Sequence, residues 1–271
     1  VDGGAKVVDE AGTVTATFGL LLNAQPEGSV RLDITSQDEG EATTSPNAVT
    51  FQPGAWNVEQ IITIQGVDDS EADGLQLFDL IVSVDQSASD ALFVGLTDQT
   101  IEVTNTDNDQ AGVTVSPVSG LVTTEAGSTA DISVVLNTAP SYEVTISVTS
   151  SDPAEGEVTV PASGTLTFTP ANWATVQTVT VSGVNDDVAD GDQEYTIITD
   201  DAVSNDPTYN GRSVEDVSAT NTDDDDVTIT VSPTSGLETT ESGGSAQFTV
   251  VLGSEPTDDV VIDVPSSNPA E

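Results

Sequence analysis

Residues Phe51 to Gly74 read FQPGAWNVEQIITIQGVDDSEADG, and residues Phe168 to Asp192 read FTPANWATVQTVTVSGVNDDVADGD. Both open on F-x-P-x-x-W, pass through a run rich in alternating apolar residues, and close on an acidic loop ending in Asp-Gly. Matched segments flank them. Asn105-Thr106-Asp107-Asn108-Asp109 returns as Asn221-Thr222-Asp223-Asp224-Asp225, and VSPVSGLVTTEAGS from Val115 returns as VSPTSGLETTESGG from Val231. A fixed period of about 115 residues is the signature of a tandem array of small domains. The pattern divides the chain into repeat 1 (residues 1–110), repeat 2 (111–225, the complete copy) and repeat 3 (226–271, the N-terminal part of a copy). The counterpart of Gly112–Val115 would precede Val1, so repeat 1 is expected to lack its first strand. SSNPAE at the end matches SSDPAE at Ser150–Glu155, so repeat 3 is expected to hold about three strands. The expectation is a piece of a longer array, completed by more chain or by a neighbouring molecule.

Repeat 2 shows the strands most clearly. Val144, Ile146 and Val148 alternate with Thr and Ser, the period of a half-buried strand. Similar runs lie at Gly112–Ser116, Asp131–Leu136, Thr165–Phe168, Gln177–Val181, Tyr195–Ile198 and Val214–Thr220, separated by turns rich in Pro, Gly, Asn and Asp. About seven short strands in some 110 residues read as an antiparallel β-sandwich of immunoglobulin-like type. The fold class is therefore all-β, with no amphipathic helix visible. The linkers Asp109–Gly112 and Asp225–Val227 are too short to be spacers, so adjacent domains should be closely coupled in orientation.

Composition narrows the chemistry. The 271 residues contain no Cys, His or Met, which removes disulfides, thiolate and imidazole metal ligands, and Cys or His nucleophiles. Without His, the abundant Ser and Thr have no general base for acyl transfer. Forty-seven acidic residues against three basic ones, Lys6, Arg31 and Arg212, leave a net charge of −44. Such a chain binds no nucleic acid through phosphates and is repelled by anionic membranes. It holds no run of roughly 18 apolar residues, so no membrane insertion is expected. No secretory signal and no Asn-x-Ser/Thr sequon is visible. Two carboxylates about 4 Å apart repel by roughly 4 kcal/mol at an effective dielectric of ~20, so clustered acids demand protons, cations or salt. Solubility or a saline habitat accounts for scattered acids. Neither accounts for clusters that recur in register.

Three acidic elements do recur. A Glu stands before x-Gly near the start of each repeat: Glu10, Glu125 and Glu241. An acidic loop follows the Trp strand: Asp68, Asp69, Glu71 and Asp73 in repeat 1, and Asp186, Asp187, Asp190 and Asp192 in repeat 2. A terminal cluster comprises Asp107-Asn108-Asp109, then Asp223-Asp224-Asp225-Asp226, with Asp107, Asp109, Asp223 and Asp225 as its candidate ligands. In a seven-stranded sandwich all three fall at one end, where they make an oxygen-rich pocket. Single Asp-Asp or Asp-Gly pairs are ordinary turn chemistry; three elements repeated in two registers point to a cation. Calcium, with six to eight oxygen ligands in a flexible arrangement, suits the pattern better than magnesium. The Gly after Asp73 and after Asp190 is expected to make the bend that aims the neighbouring acids inward. Trp56 and Trp173, each beside a Phe, read as core or end-cap packing rather than as ligand platforms. The paired acids lack the aromatic cleft of a glycosidase.

Glu-x-Gly, a loop of the form GVxDDxxxDGD and a terminal acidic triplet together resemble the Calx-β domain, the repeat of the regulatory region of sodium–calcium exchangers and of many long bacterial surface and adhesin-like proteins. The resemblance covers repeat 2 fully, repeat 1 nearly so and the opening of repeat 3. It implies calcium at one end of each sandwich. Its ligands would be Glu10, Asp68, Asp69, Glu71, Asp73, Asp107 and Asp109 in repeat 1. In repeat 2 they would be Glu125, Asp186, Asp187, Asp190, Asp192, Asp223 and Asp225. Two departures stand out. The mid-domain Gly-Thr-Ala and Asp-Tyr signature is replaced by SSDPAEGEVTV and LTFTPANW, and Leu75 stands where repeat 2 has Asp192. The expected role is not enzymatic. It is an extracellular or cell-surface calcium-binding array acting as a stiff stalk or filament component. The alternatives are the spacer of a calcium-dependent adhesin and a calcium sensor module. The expected partners are calcium ions, neighbouring repeats and, in a filament, copies of itself.

Overall fold

Alternation with a period of two commits each strand to one buried face, and two such faces must cover each other. The computed structural model, which describes residues 4–268, shows this solution twice. The first sandwich is built from β1 (Lys6–Asp9), β2 (Thr15–Leu20), β3 (Val30–Ser36), β4 (Ala42–Ser45), β5 (Ala48–Phe51), β6 (Gln60–Gly66), β7 (Gln76–Val84) and β8 (Gln99–Thr106). One sheet runs β1-β8-β7-β3-β5 and the other β2-β6-β4. Phe18, Phe51, Ile62, Ile64, Leu80 and Val103 fill the space between them.

The second sandwich comprises β9 (Val113–Ser116), β10 (Leu121–Thr124), β11 (Thr129–Leu136), β12 (Val144–Ser150), β13 (Gly156–Val160), β14 (Thr165–Phe168), β15 (Gln177–Gly183), β16 (Gln193–Thr199), β17 (Val203–Ser204) and β18 (Val217–Thr222). Its sheets run β10-β18-β16-β12-β14, with β17 beside β12, and β13-β15-β11-β9. Val144, Ile146 and Val148 are buried, as the alternation requires, among Ile132, Leu166, Phe168 and Ile197. Trp56 and Trp173 are half-buried and pack against their respective cores.

Three strands of the second sandwich escape the sequence pattern: β10, β13 and β17. After β9 the chain passes Pro117 and Gly120 and crosses to the opposite sheet as β10. There it pairs in parallel with β18, Leu121 opposite Ala219 and Thr124 opposite Thr222. The first sandwich does the same, β1 lying parallel to β8 with Lys6 opposite Val103 and Asp9 opposite Thr106. Apart from this one pair in each, the sandwiches are antiparallel. The third segment holds a hairpin of β19 (Ile229–Ser232) and β20 (Thr249–Leu252). Among the described residues this segment holds two strands where about three were expected, and Val260–Val264 is unpaired. No residue described from Asp226 onward is buried, since a hairpin alone has no second sheet to close over it.

Candidate metal centre

Each acidic end is assembled by backbone before any carboxylate is counted. β6 and β15 finish at Gly66 and Gly183, where the chain passes so close to the Glu-bearing strand that a Cβ would meet its backbone. At Gly66 the Asp9 carbonyl oxygen lies 2.1 Å from that position, and at Gly183 the Thr124 oxygen lies 2.3 Å away. The acidic loop then turns at Gly74 and Gly191, with φ of 78° and 80°, the left-handed region that glycine enters freely. Gly74 donates its N–H to Asp107 Oδ2 at 2.7 Å. Gly191 donates to Asp223 Oδ2 at 2.6 Å. The Glu10 N–H reaches the Thr106 carbonyl, and the Glu125 N–H the Thr222 carbonyl. Loop, last strand and first strand are thereby drawn to one point in both repeats.

Carboxylates converge there. In repeat 1, oxygens of Glu10, Glu41 and Asp73 lie within 4.8 Å of one another, as do those of Glu10, Asp107 and Asp109, so Glu10 belongs to both groups. In repeat 2 the groups are Glu125 with Asp224 and Asp225, and Glu155 with Asp186 and Asp190. Asp68 and Asp69 stand beside them: Asn108 Nδ2 donates to Asp68 Oδ1 at 3.3 Å, and Asp69 acts electrostatically on Glu10, Glu41, Asp73 and Asp109. Asp223 serves as an acceptor, holding the N–H groups of Gly191 and Asp225, while Asp192 Oδ1 accepts from the Asp223 N–H at 3.2 Å. Asp187 acts electrostatically on Asp225. Glu71 lies outside the four groups, and its backbone bridges to Ala139 of repeat 2.

Glu41 and Glu155 join these groups from outside the three recurring acidic elements, and Asp224 joins from within the terminal cluster though not among its candidate ligands. Asn105 donates to Glu41 Oε2 at 3.0 Å, and Asn221 to Glu155 Oε2 at 3.2 Å, so both glutamates are set in place by matched residues. The signal was present: Ser-x-Asp/Asn-x-x-Glu recurs at positions 36–41, 150–155 and 266–271.

Electrostatics shows what this assembly costs. Burial, with Asp107, Asp69 and Glu41 adding repulsion against one hydrogen bond from the Asn108 N–H, pushes Glu10 up to about 7. Burial followed by neighbouring carboxylates likewise raises Glu41, Asp73, Asp109, Glu125 and Asp225. Asp223 is held low by the N–H groups of Asp225 and Gly191. Asp225 Oδ2 is shielded from solvent and has no hydrogen-bond partner. Arg31 is engaged with Asp33 and Asp85, and Arg212 with the Thr208 carbonyl, so neither arginine is spent on these clusters. An all-oxygen donor set with several anions and no soft ligand fits a hard cation such as calcium.

No family model matches the chain, and no curated protein matches it. Solved structures with a similar architecture include CBD12 from CALX1.2, at 12% identity and a TM-score of 0.36 over 82% of this chain and 98% of that one. The calcium binding domain CBD12 of CALX1.1 is similar at 16% identity and a TM-score of 0.34, over 73% and 78%. Domains 4 and 5 of the S-layer protein SbsC match at 17% identity and 0.32, over 70% and 69%.

Proposed function

We propose that the protein is a calcium-binding structural repeat array, working outside the cell or on its surface as a stiff stalk or filament component. The observation that carries this reading is the pair of buried glutamates, Glu10 at 2% exposure and Glu125 at 3%, each facing further carboxylates. A buried carboxylate without a countercharge is costly, and folding has built that arrangement twice. In repeat 1, Glu10, Glu41, Asp73, Asp107 and Asp109 would hold the ion, with Asp68 and Asp69 beside them. In repeat 2, Glu125, Glu155, Asp186, Asp190, Asp224 and Asp225 would do so. The cation supplies positive charge; the chain's own part is to hold the oxygens at fixed spacing on four converging segments. Neutralisation relieves the repulsion among the carboxylates and so stabilises the loops that carry them.

Thermal unfolding at fixed high ionic strength tests the reading. Free calcium at a hundred times the dissociation constant adds about 2.7 kcal/mol per site, which raises the melting temperature of a domain this size by about 10 °C or more over excess chelator. Equal melting temperatures would leave salt adaptation as the explanation of the acids.

A further inference from the structure

The acidic loop also touches the next repeat, and it does so twice in the same way. The Ser70 carbonyl accepts the Ala139 N–H at 2.6 Å, and the Asp187 carbonyl accepts the Glu255 N–H at 2.5 Å. Ser70 and Asp187 are matched loop positions; Ala139 and Glu255 are matched positions ahead of Pro140 and Pro256, in the turns after β11 and β20. At the first junction Glu71 adds a parallel bridge to Ala139, and Ala72 packs against the repeat 2 core. At the second, Val188 and Ala189 line a cleft of about 370 Å³ with Leu252 and Pro256.

The receiving turn in repeat 2 is braced from a distant loop. Tyr209 is fully buried. Its hydroxyl donates to the Thr138 carbonyl at 2.8 Å, accepts the Thr138 N–H at 3.1 Å and lies 2.9 Å from Thr138 Oγ1. That uses the full hydrogen-bonding capacity of a phenol. Asp206, 3% exposed, accepts the Ser141 N–H at 2.7 Å on the other side. Ala139 and Pro140 are thus pinned at both flanks, which removes the turn's own disorder before anything docks. In repeat 1, Asp90 caps the matched turn through the Glu27 and Gly28 N–H groups, but Phe93 stands at the position of Tyr209.

We infer that the Thr138–Pro140 turn is a built socket for the acidic loop of the preceding repeat, and that Tyr209 is the positioning residue that holds it open. The inference stands independently of cation binding. It is tested by double electron–electron resonance. The chain has no cysteine, so Glu102→Cys with Glu194→Cys, at exposed positions in repeats 1 and 2, gives one inter-repeat distance. Tyr209→Phe reproduces the residue that repeat 1 folds with, and Ala139→Pro removes the donated N–H itself. Each broadens the inter-repeat distribution about twofold, toward the freedom expected of loosely joined domains. It does so in calcium and in chelator alike. A control pair inside repeat 2, Glu157→Cys with Glu194→Cys, keeps its width in Tyr209→Phe. Unchanged inter-repeat widths in both variants, or equal broadening of the control pair, would overturn the inference. Absence of calcium binding would instead fail the proposed function and leave this result standing.

Discussion

Glu10 carries a charge where water hardly reaches, among carboxylates that share its sign, and its pKa has risen from 4.5 to about 7. A carboxyl group whose pKa is higher folded than unfolded binds protons more tightly in the folded state. Its contribution is therefore fully present below about 4.5 and is lost as pH rises through about 7. In chelator, the melting temperature of repeat 1 should fall between pH 5 and pH 8. Glu10→Gln should flatten that slope and stabilise the ion-free protein at pH 8, by up to about 3 kcal/mol at about 1.36 kcal/mol per pKa unit. In calcium the same substitution should be destabilising. Melts of both proteins in both buffers check the crossing; a destabilised Glu10→Gln in chelator would show that the charge is compensated without metal. At this scale the sequence is legible where chemistry and register coincide. Glu10 and Glu125 stand in an obvious recurring context. Glu41 and Glu155 recur just as faithfully, yet Gly-Glu-Ala and Glu-Gly-Glu look like ordinary turn composition until Asn105 and Asn221 are seen to reach them.

Strand ends set the site as much as its carboxylates do. At Gly183 an added Cβ would sit 2.3 Å from the Thr124 carbonyl oxygen and 2.6 Å from Asn221 Oδ1; Gly66 meets Asp9 and Asn105 in the same way. The first contact is backbone and cannot rotate aside. Gly183→Ala should cost about 1–3 kcal/mol through overpacking. It should also weaken calcium binding in repeat 2 and leave repeat 1 unaffected, as read by titration calorimetry; full affinity at both sites would show that the close approach does not position Glu125. The alternating strands such as β12 were readable because period two is a local signal. β10 and β13 were not: they are only four and five residues long, and β10, reading LVTT, turns Leu121 and Thr123 inward with Val122 outward, so apolar and polar residues do not alternate. It pairs with β18 nearly a hundred residues later, in a parallel register that no local pattern encodes.

The described residues form two closed sandwiches followed by a hairpin; the short linkers read from the sequence imply close coupling of the repeats but not which loop and turn meet. The two cores are separate clusters, whereas Ile229, Val250, Val251 and Val261 remain exposed. Amide exchange should follow: residues described from Asp226 onward should exchange orders of magnitude faster than β12 or β16 in the same sample, as read by mass spectrometry. Protection there equal to that of β15 would mean that another molecule covers the hairpin. The parallel pairing in each sandwich has a mechanical consequence. In β1 with β8, and in β10 with β18 once the preceding β9 is passed, the chain enters at one end of the ladder and leaves at the other. Pulling on the two neighbours slides these strands lengthwise past each other, so the ladder's hydrogen bonds resist together instead of opening one at a time like a zipper.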